Sequence, residues 1–89
     1  MASYYNENTV LFLNGAFVKA VDAKMDLYSQ SLHYGYSVFE GIRSYKTEDG
    51  NAKIFKATEH FDRFKASAEA INLPYTYNTQ YLIAQTYKL

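Results

Sequence analysis

Apolar and polar positions fall into short blocks along this chain. Val10-Leu11-Phe12-Leu13 is an uninterrupted apolar run that ends at Asn14-Gly15. That pair is well suited to positive φ at both centres of a tight hairpin, and residues 16–21 (AFVKAV) return as the partner strand. Residues 1–8, ending Tyr5-Asn6-Glu7-Asn8, are polar and read as a loose arm. Residues 22–35 mix Asp, Ser, Gln and His with scattered apolar side chains and show no period of 2 or 3.6. They predict a long connection holding at most one helical turn.

The second half is more regular. Residues 38–47 (VFEGIRSYKT) are rich in β-branched and aromatic side chains and predict a longer strand. Glu48-Asp49-Gly50-Asn51 is turn chemistry, and residues 52–57 (AKIFKA) close a second hairpin. Thr58 is the expected N-cap of a helix, with Glu59 in the first turn, where the helix dipole favours an acid. Phe61, Phe64, Ala68 and Ile71 recur at spacings of three, four and three, which makes one apolar stripe. Asn72-Leu73-Pro74 stops that helix, because proline disfavours helical geometry in the residue before it.

Asn78 or Thr79 can cap a further helix starting near Tyr81, with Leu82, Thr86 and Leu89 on one face. It runs to the last residue without Gly, Pro or a capping residue, and a helix of about nine residues is marginal alone in water. The pattern therefore predicts an α+β fold of antiparallel hairpins and one to two helices. It predicts one small domain over residues 1–89, and a piece of a longer protein.

Composition narrows the classes. At 89 residues the core is limited, since a chain this short buries only somewhat more than about 60% of its unfolded surface. The longest apolar run is four residues, far below the roughly 20 that span a bilayer. No basic region leads into an apolar stretch, so neither a membrane span nor a secretory signal is expected, and the expected location is cytoplasmic. No cysteine is present, which excludes disulfide scaffolds and thiol nucleophiles. Nine basic and nine acidic residues cancel, leaving no field of one sign to attract nucleic acid or an anionic membrane. Ten tyrosines and six phenylalanines are the unusual feature, suited to half-buried walls of a pocket or an interface, or simply to core and strand.

Candidate chemistry is sparse. Alternation along residues 38–47 puts Phe39, Gly41, Arg43 and Tyr45 on one face, with Val38, Glu40, Ile42 and Ser44 on the other. An apolar ring, a residue without a side chain and a forked cation suit a small acid with an apolar tail. A bulge glycine beside a solvent arginine fits the same spacing. On the helix, His60, Arg63 and Ser67 form a polar stripe, read either as an anion grip built on Arg63 or as an ordinary solvated face. His33 and His60 lie 27 residues apart, with no pair of carboxylates at metal-ligand spacing, so no metal site is expected. There is no G-x-S-x-G elbow and no glycine-rich phosphate loop, and no catalytic residue is assigned.

Residues 31–43, Ser31-Leu32-His33-Tyr34-Gly35-Tyr36-Ser37-Val38-Phe39-Glu40-Gly41-Ile42-Arg43, resemble the "LHYG..VFEGIR" signature of the branched-chain amino acid aminotransferases. These are fold-type IV enzymes that use pyridoxal phosphate. Asn14-Gly15-Ala16-Phe17-Val18 resembles the family's opening hairpin. Glu59-His60-Phe61-Asp62-Arg63-Phe64-Lys65-Ala66-Ser67-Ala68 resembles its "EH..R...SA" helix. The resemblance covers roughly residues 10–74. It implies the amino-terminal small domain of an enzyme that moves an amino group between leucine, isoleucine or valine and 2-oxoglutarate. The implied assembly is a homo-oligomer.

By position, the resemblance makes Arg63 the cofactor-phosphate residue. Phe39 and Tyr34 would line the aliphatic pocket, Tyr34 reaching into the neighbouring subunit's site. Gly41 and Arg43 would border the substrate. The lysine that carries the cofactor belongs to a larger domain beyond these 89 residues, so the chain alone is expected to be inactive. D-amino acid transaminase and aminodeoxychorismate lyase share the fold and are the alternatives within it. They do not typically carry His33-Tyr34-Gly35 or residues 39–43 in this form. Outside it stands a non-catalytic domain that binds partners through its aromatic face.

Overall fold

The structure is a computed structural model and describes residues 4–89; the first three residues of the expected arm lie outside it. Asn6 to Thr9 form a tight turn, with the Thr9 N–H donating to the Asn6 carbonyl at 3.1 Å and the Asn8 N–H to the Asn6 side chain at 2.8 Å. β1 (Val10–Leu13) and β2 (Ala16–Lys19) pair antiparallel in the register Val10↔Lys19 to Leu13↔Ala16. Asn14 and Gly15 take φ of 52° and 86°, the twist a two-residue hairpin requires. A Cβ on Gly15 would lie 3.2 Å from the Tyr77 hydroxyl, so a second constraint also favours glycine there. The partner strand is shorter than expected, because Ala20–Asp22 turn into a 3-10 helix.

The long connection contains one short helix, α1 (Gln30–Tyr34), capped at its start by the Ser29 hydroxyl and at its end by Gly35 at φ 64°. The expected ten-residue strand is much reduced. Only β3 (Ser44–Lys46) pairs, with β4 (Ala52–Ile54), in the register Ser44↔Ile54 to Lys46↔Ala52. Residues 38–43 have no ladder partner beyond the bond from the Phe55 N–H to the Arg43 carbonyl at 2.9 Å. Composition favours extended backbone there, but a strand also needs a neighbour, and the other hairpin is a separate two-stranded sheet.

α2 (Ala57–Ala70) begins one residue before the expected cap. Lys56, in the left-handed region at φ 51°, turns the chain from β4 straight into the helix, and Thr58 lies inside it. The end is built by Asn72 rather than by Pro74. Asn72 sits at φ 58° and donates to the Glu69 carbonyl at 3.1 Å, while Leu73 donates to the Ala68 carbonyl at 2.8 Å. This is the paired closure that a left-handed residue after a helix provides, and asparagine tolerates that conformation. α3 (Thr79–Lys88) is capped as expected by Asn78, whose side chain accepts from the Tyr81 N–H at 2.7 Å.

α3 packs on α2, and the Thr79 hydroxyl bonds Asp62 at 2.5 Å. The tyrosines tie the pieces together. The Tyr87 hydroxyl accepts from the Ile54 N–H at 3.0 Å, the Tyr36 hydroxyl donates to the Ile71 carbonyl, and Tyr77 stacks on Tyr81 with ring centroids 5.8 Å apart. The core is small: among the described residues Ala20, Ile54, Phe61 and Ala68 are the buried hydrophobic ones, and half of the helical stripe supplies two of them. A radius of gyration of 14.8 Å exceeds the roughly 12 Å of a close-packed domain of this length. Among the described residues no helix is long and apolar enough to cross a membrane.

Candidate functional site

Residues 38–43 keep the two-sided character of a strand although they form no ladder. Val38, Glu40 and Ile42 are half-buried, while Phe39, Gly41 and Arg43 are exposed. The inward set brings Glu40 onto α2. Arg63 donates from Nε to Glu40 Oε2 at 2.8 Å and from Nη2 to Oε1 at 2.7 Å. His60, one turn earlier on the same face, meets Oε1 through Nδ1 at 2.8 Å. Two members of the helical polar stripe thus converge on one carboxylate. Alternation placed Glu40 with Val38, Ile42 and Ser44 on the face opposite Phe39 and Arg43 but gave it no role; an acid between two apolar residues of that face was the signal available.

Arg63 and His60 hold the Glu40 carboxyl down from 4.5 to about 2, chiefly because hydrogen bonds from Arg63 and then His60 favour its charged form. The same pairing raises Arg63 above its usual value. An ionised carboxylate only accepts, so the His60 Nδ1 carries the proton. A group whose pKa is depressed on folding stabilises the fold above its unfolded pKa and loses that contribution as pH falls through the folded one. The expected result is that the melting-temperature gap between the native protein and Glu40→Gln is full above pH 4.5 and closes as the pH falls toward about 2. Thermal unfolding followed by circular dichroism across that range checks it, and a gap independent of pH would count against the ion pair.

The carboxylate is nearly covered, with its side chain 8% exposed, whereas the Arg63 side chain is 68% exposed. Of the five N–H donors of a guanidinium, Glu40 takes two, and the Nη1/Nη2 edge keeps a second pair of parallel donors. A cavity of about 250 Å³ lies beside it, lined by Lys56, Glu59, His60 and Arg63. Lys56, the His60 imidazole and the open edge of Arg63 fit a phosphate-like anion, with Glu59 the one acid in the lining. Another cavity of about 380 Å³, walled by Phe12, Phe64, Leu73 and Leu82 among others, contains none of the expected site residues. Tyr75 forms part of its wall, with a buried hydroxyl that has no hydrogen-bond partner among the described residues and a pKa pushed up by burial.

The remaining expected residues are exposed, and no hydrogen bond, ion pair or ring contact joins them to one another. Phe39 is 89% exposed and Tyr34 83% exposed, their rings unsupported apart from a Tyr34–His33 contact at 6.3 Å. The Arg43 guanidinium has no hydrogen-bond or ion-pair partner among the described residues. A Cβ on Gly41 would meet nothing within 4 Å, so the close approach expected at that glycine is not made by this chain's own atoms. Met25, Leu27 and Tyr28, just before α1, and Leu32 within it are further exposed apolar residues.

No family model matches the sequence. Curated relatives do. The chain is 42% identical over 64 residues to the branched-chain-amino-acid aminotransferases of Salmonella typhimurium and Escherichia coli K12, matching 72% of this chain and 20% of each relative. It is 38% identical over 79 residues to the D-alanine aminotransferase of Staphylococcus aureus, matching 89% of this chain and 26% of that relative. The chain is thus a homologue of the fold-type IV aminotransferases that its motifs resemble. Within that class it is related to both the branched-chain and the D-alanine enzymes, at similar identity, and the matches span about a fifth to a quarter of their length.

Proposed function

We propose that this chain is the amino-terminal small domain of a pyridoxal phosphate-dependent branched-chain aminotransferase, which transfers an amino group between leucine, isoleucine or valine and 2-oxoglutarate. The observation that carries the reading is the open fork of Arg63, held beside a small cavity that Lys56, His60 and Glu59 also line, on the helix that bears the family's motif. Bound pyridoxal phosphate supplies the electron sink for the reaction. This chain's share is positional. Arg63 grips the phosphate, with Lys56 and His60 at its sides. Phe39 and Tyr34 offer apolar walls to the substrate's tail, Gly41 leaves room beside them, and Arg43 borders the carboxylate region. All seven lysines are exposed, in keeping with a cofactor lysine that comes from a larger second domain.

The exposed rings at 28, 34 and 39 suit burial against that domain and a second copy of the chain, in a cytoplasmic homo-oligomer. The branched-chain reading rests on residues 31–43. The D-amino acid reading is supported by the longer match, 79 residues against 64. The product of the complete reading frame, assayed with 2-oxoglutarate, separates them. Turnover of L-leucine without D-alanine is expected, the reverse selects the second reading, and failure to bind pyridoxal phosphate overturns both. Preference among the three branched substrates is a matter of about 1–3 kcal/mol per methylene, set by the completed pocket.

A further inference from the structure

An arginine on a helix surface has four side-chain torsions and, left alone, sweeps a wide arc. Arg63 is exposed over two thirds of its side chain, yet its guanidinium is held at two points, through Nε and Nη2, by one nearly buried carboxylate. Two-point contact fixes the plane of the group as well as its position. His60, held on the same oxygen at 2.8 Å, helps to fix the carboxylate. The cost is electrostatic. A negative charge beside an anion site lowers its attraction for anions, so a site selected for charge alone would not contain Glu40. The arrangement makes sense where aim matters more than field strength. Glu40 also stands between Phe39 and Gly41, so the side chain that aims Arg63 comes from the segment proposed to form the substrate wall.

We infer that Glu40 is a positioning residue. It locks the Arg63 guanidinium so that its free Nη1/Nη2 edge faces a phosphate, and it ties that anchor to the segment carrying Phe39 and Gly41. The inference rests on the reading in which Arg63 holds the cofactor phosphate, and its test keeps the two apart. The product of the complete reading frame is prepared as native protein, Glu40→Gln, Arg63→Ala and the double variant. Dissociation constants for pyridoxal phosphate and for unphosphorylated pyridoxal are measured by cofactor absorbance, and the pyridoxal value divided by the pyridoxal phosphate value isolates what the phosphate contributes.

Glu40→Gln is expected to reduce that ratio about tenfold, the scale seen when the outer partner of a ligand-holding side chain is lost. Pyridoxal affinity should stay within about twofold, and the double variant should lose no more than Arg63→Ala alone, because the two residues act as one unit. Glu40→Asp, which keeps the charge but withdraws it by one methylene, should fall between native and Gln. If Arg63→Ala lowers the ratio while Glu40→Gln leaves it unchanged or raises it, the positioning role is wrong and the anchor stands. A ratio unmoved by Arg63→Ala removes the anchor itself. Equal loss of both ligands in Glu40→Gln would make Glu40 a fold residue and overturn the inference.

Discussion

Phe61→Ala is expected to cost about 3–5 kcal/mol of folding free energy, the usual penalty for emptying a buried aromatic site. Phe61 is 8% exposed and is the largest of the four buried hydrophobic side chains among the described residues. At about 0.05–0.15 kcal/mol per residue, a chain of this length has only about 4–13 kcal/mol in total. The loss therefore brings the variant close to its unfolding midpoint. Urea denaturation followed by circular dichroism should show a midpoint shifted far below that of the native protein. Phe61→Leu should recover much of the difference, since it restores most of the lost volume. A midpoint unmoved by Phe61→Ala would mean that the helical stripe does not carry the core.

Arg63→Ala is expected to weaken pyridoxal phosphate binding by about 10- to 100-fold, the equivalent of one charge-assisted contact of about 1.5–3 kcal/mol. Two effects add in the same direction. The open fork is lost, and the Glu40 carboxylate, stripped of its two contacts from Arg63, keeps only His60 and presents its charge toward the same space. Arg63→Lys separates the two. A point charge restores attraction but cannot span both Glu40 oxygens and a phosphate, so it should recover only part of the affinity. Equilibrium titration of the product of the complete reading frame checks this, and native affinity in Arg63→Ala would show that the helix stripe is mere surface.

Much of the fold was legible because it depends on neighbours in sequence. Asn14-Gly15 needs only its own two residues to make a hairpin turn, and Asn78 caps α3 through an N–H three residues away. The stripe from Phe61 to Ile71 follows from helical period alone. The errors occurred where partners decide. Residues 38–47 have strand composition along their whole length, but only Ser44–Lys46 find a ladder, because β4 is just three residues long. Thr58 is a good cap residue, yet the left-handed turn at Lys56 starts the helix before it.

The candidate site divides in the same way. Arg63, Phe39, Gly41, Arg43 and Tyr34 could be named from motif and alternation, which are one-dimensional properties. Glu40 could not be given a role, since nothing in its own neighbourhood says that a helix twenty residues on will present His60 and Arg63 to it.

By itself the sequence determined the α+β class, the two hairpin turns, the amphipathic stripe of α2 and the kinship with the aminotransferases, because each is written in local spacing and residue identity. Only the tertiary structure decided that one carboxylate gathers His60 and Arg63 and leaves a single guanidinium edge free. That outcome depends on how an extended segment lies against a helix, and the forces that set it, packing and charge pairing across space, have no period along the chain.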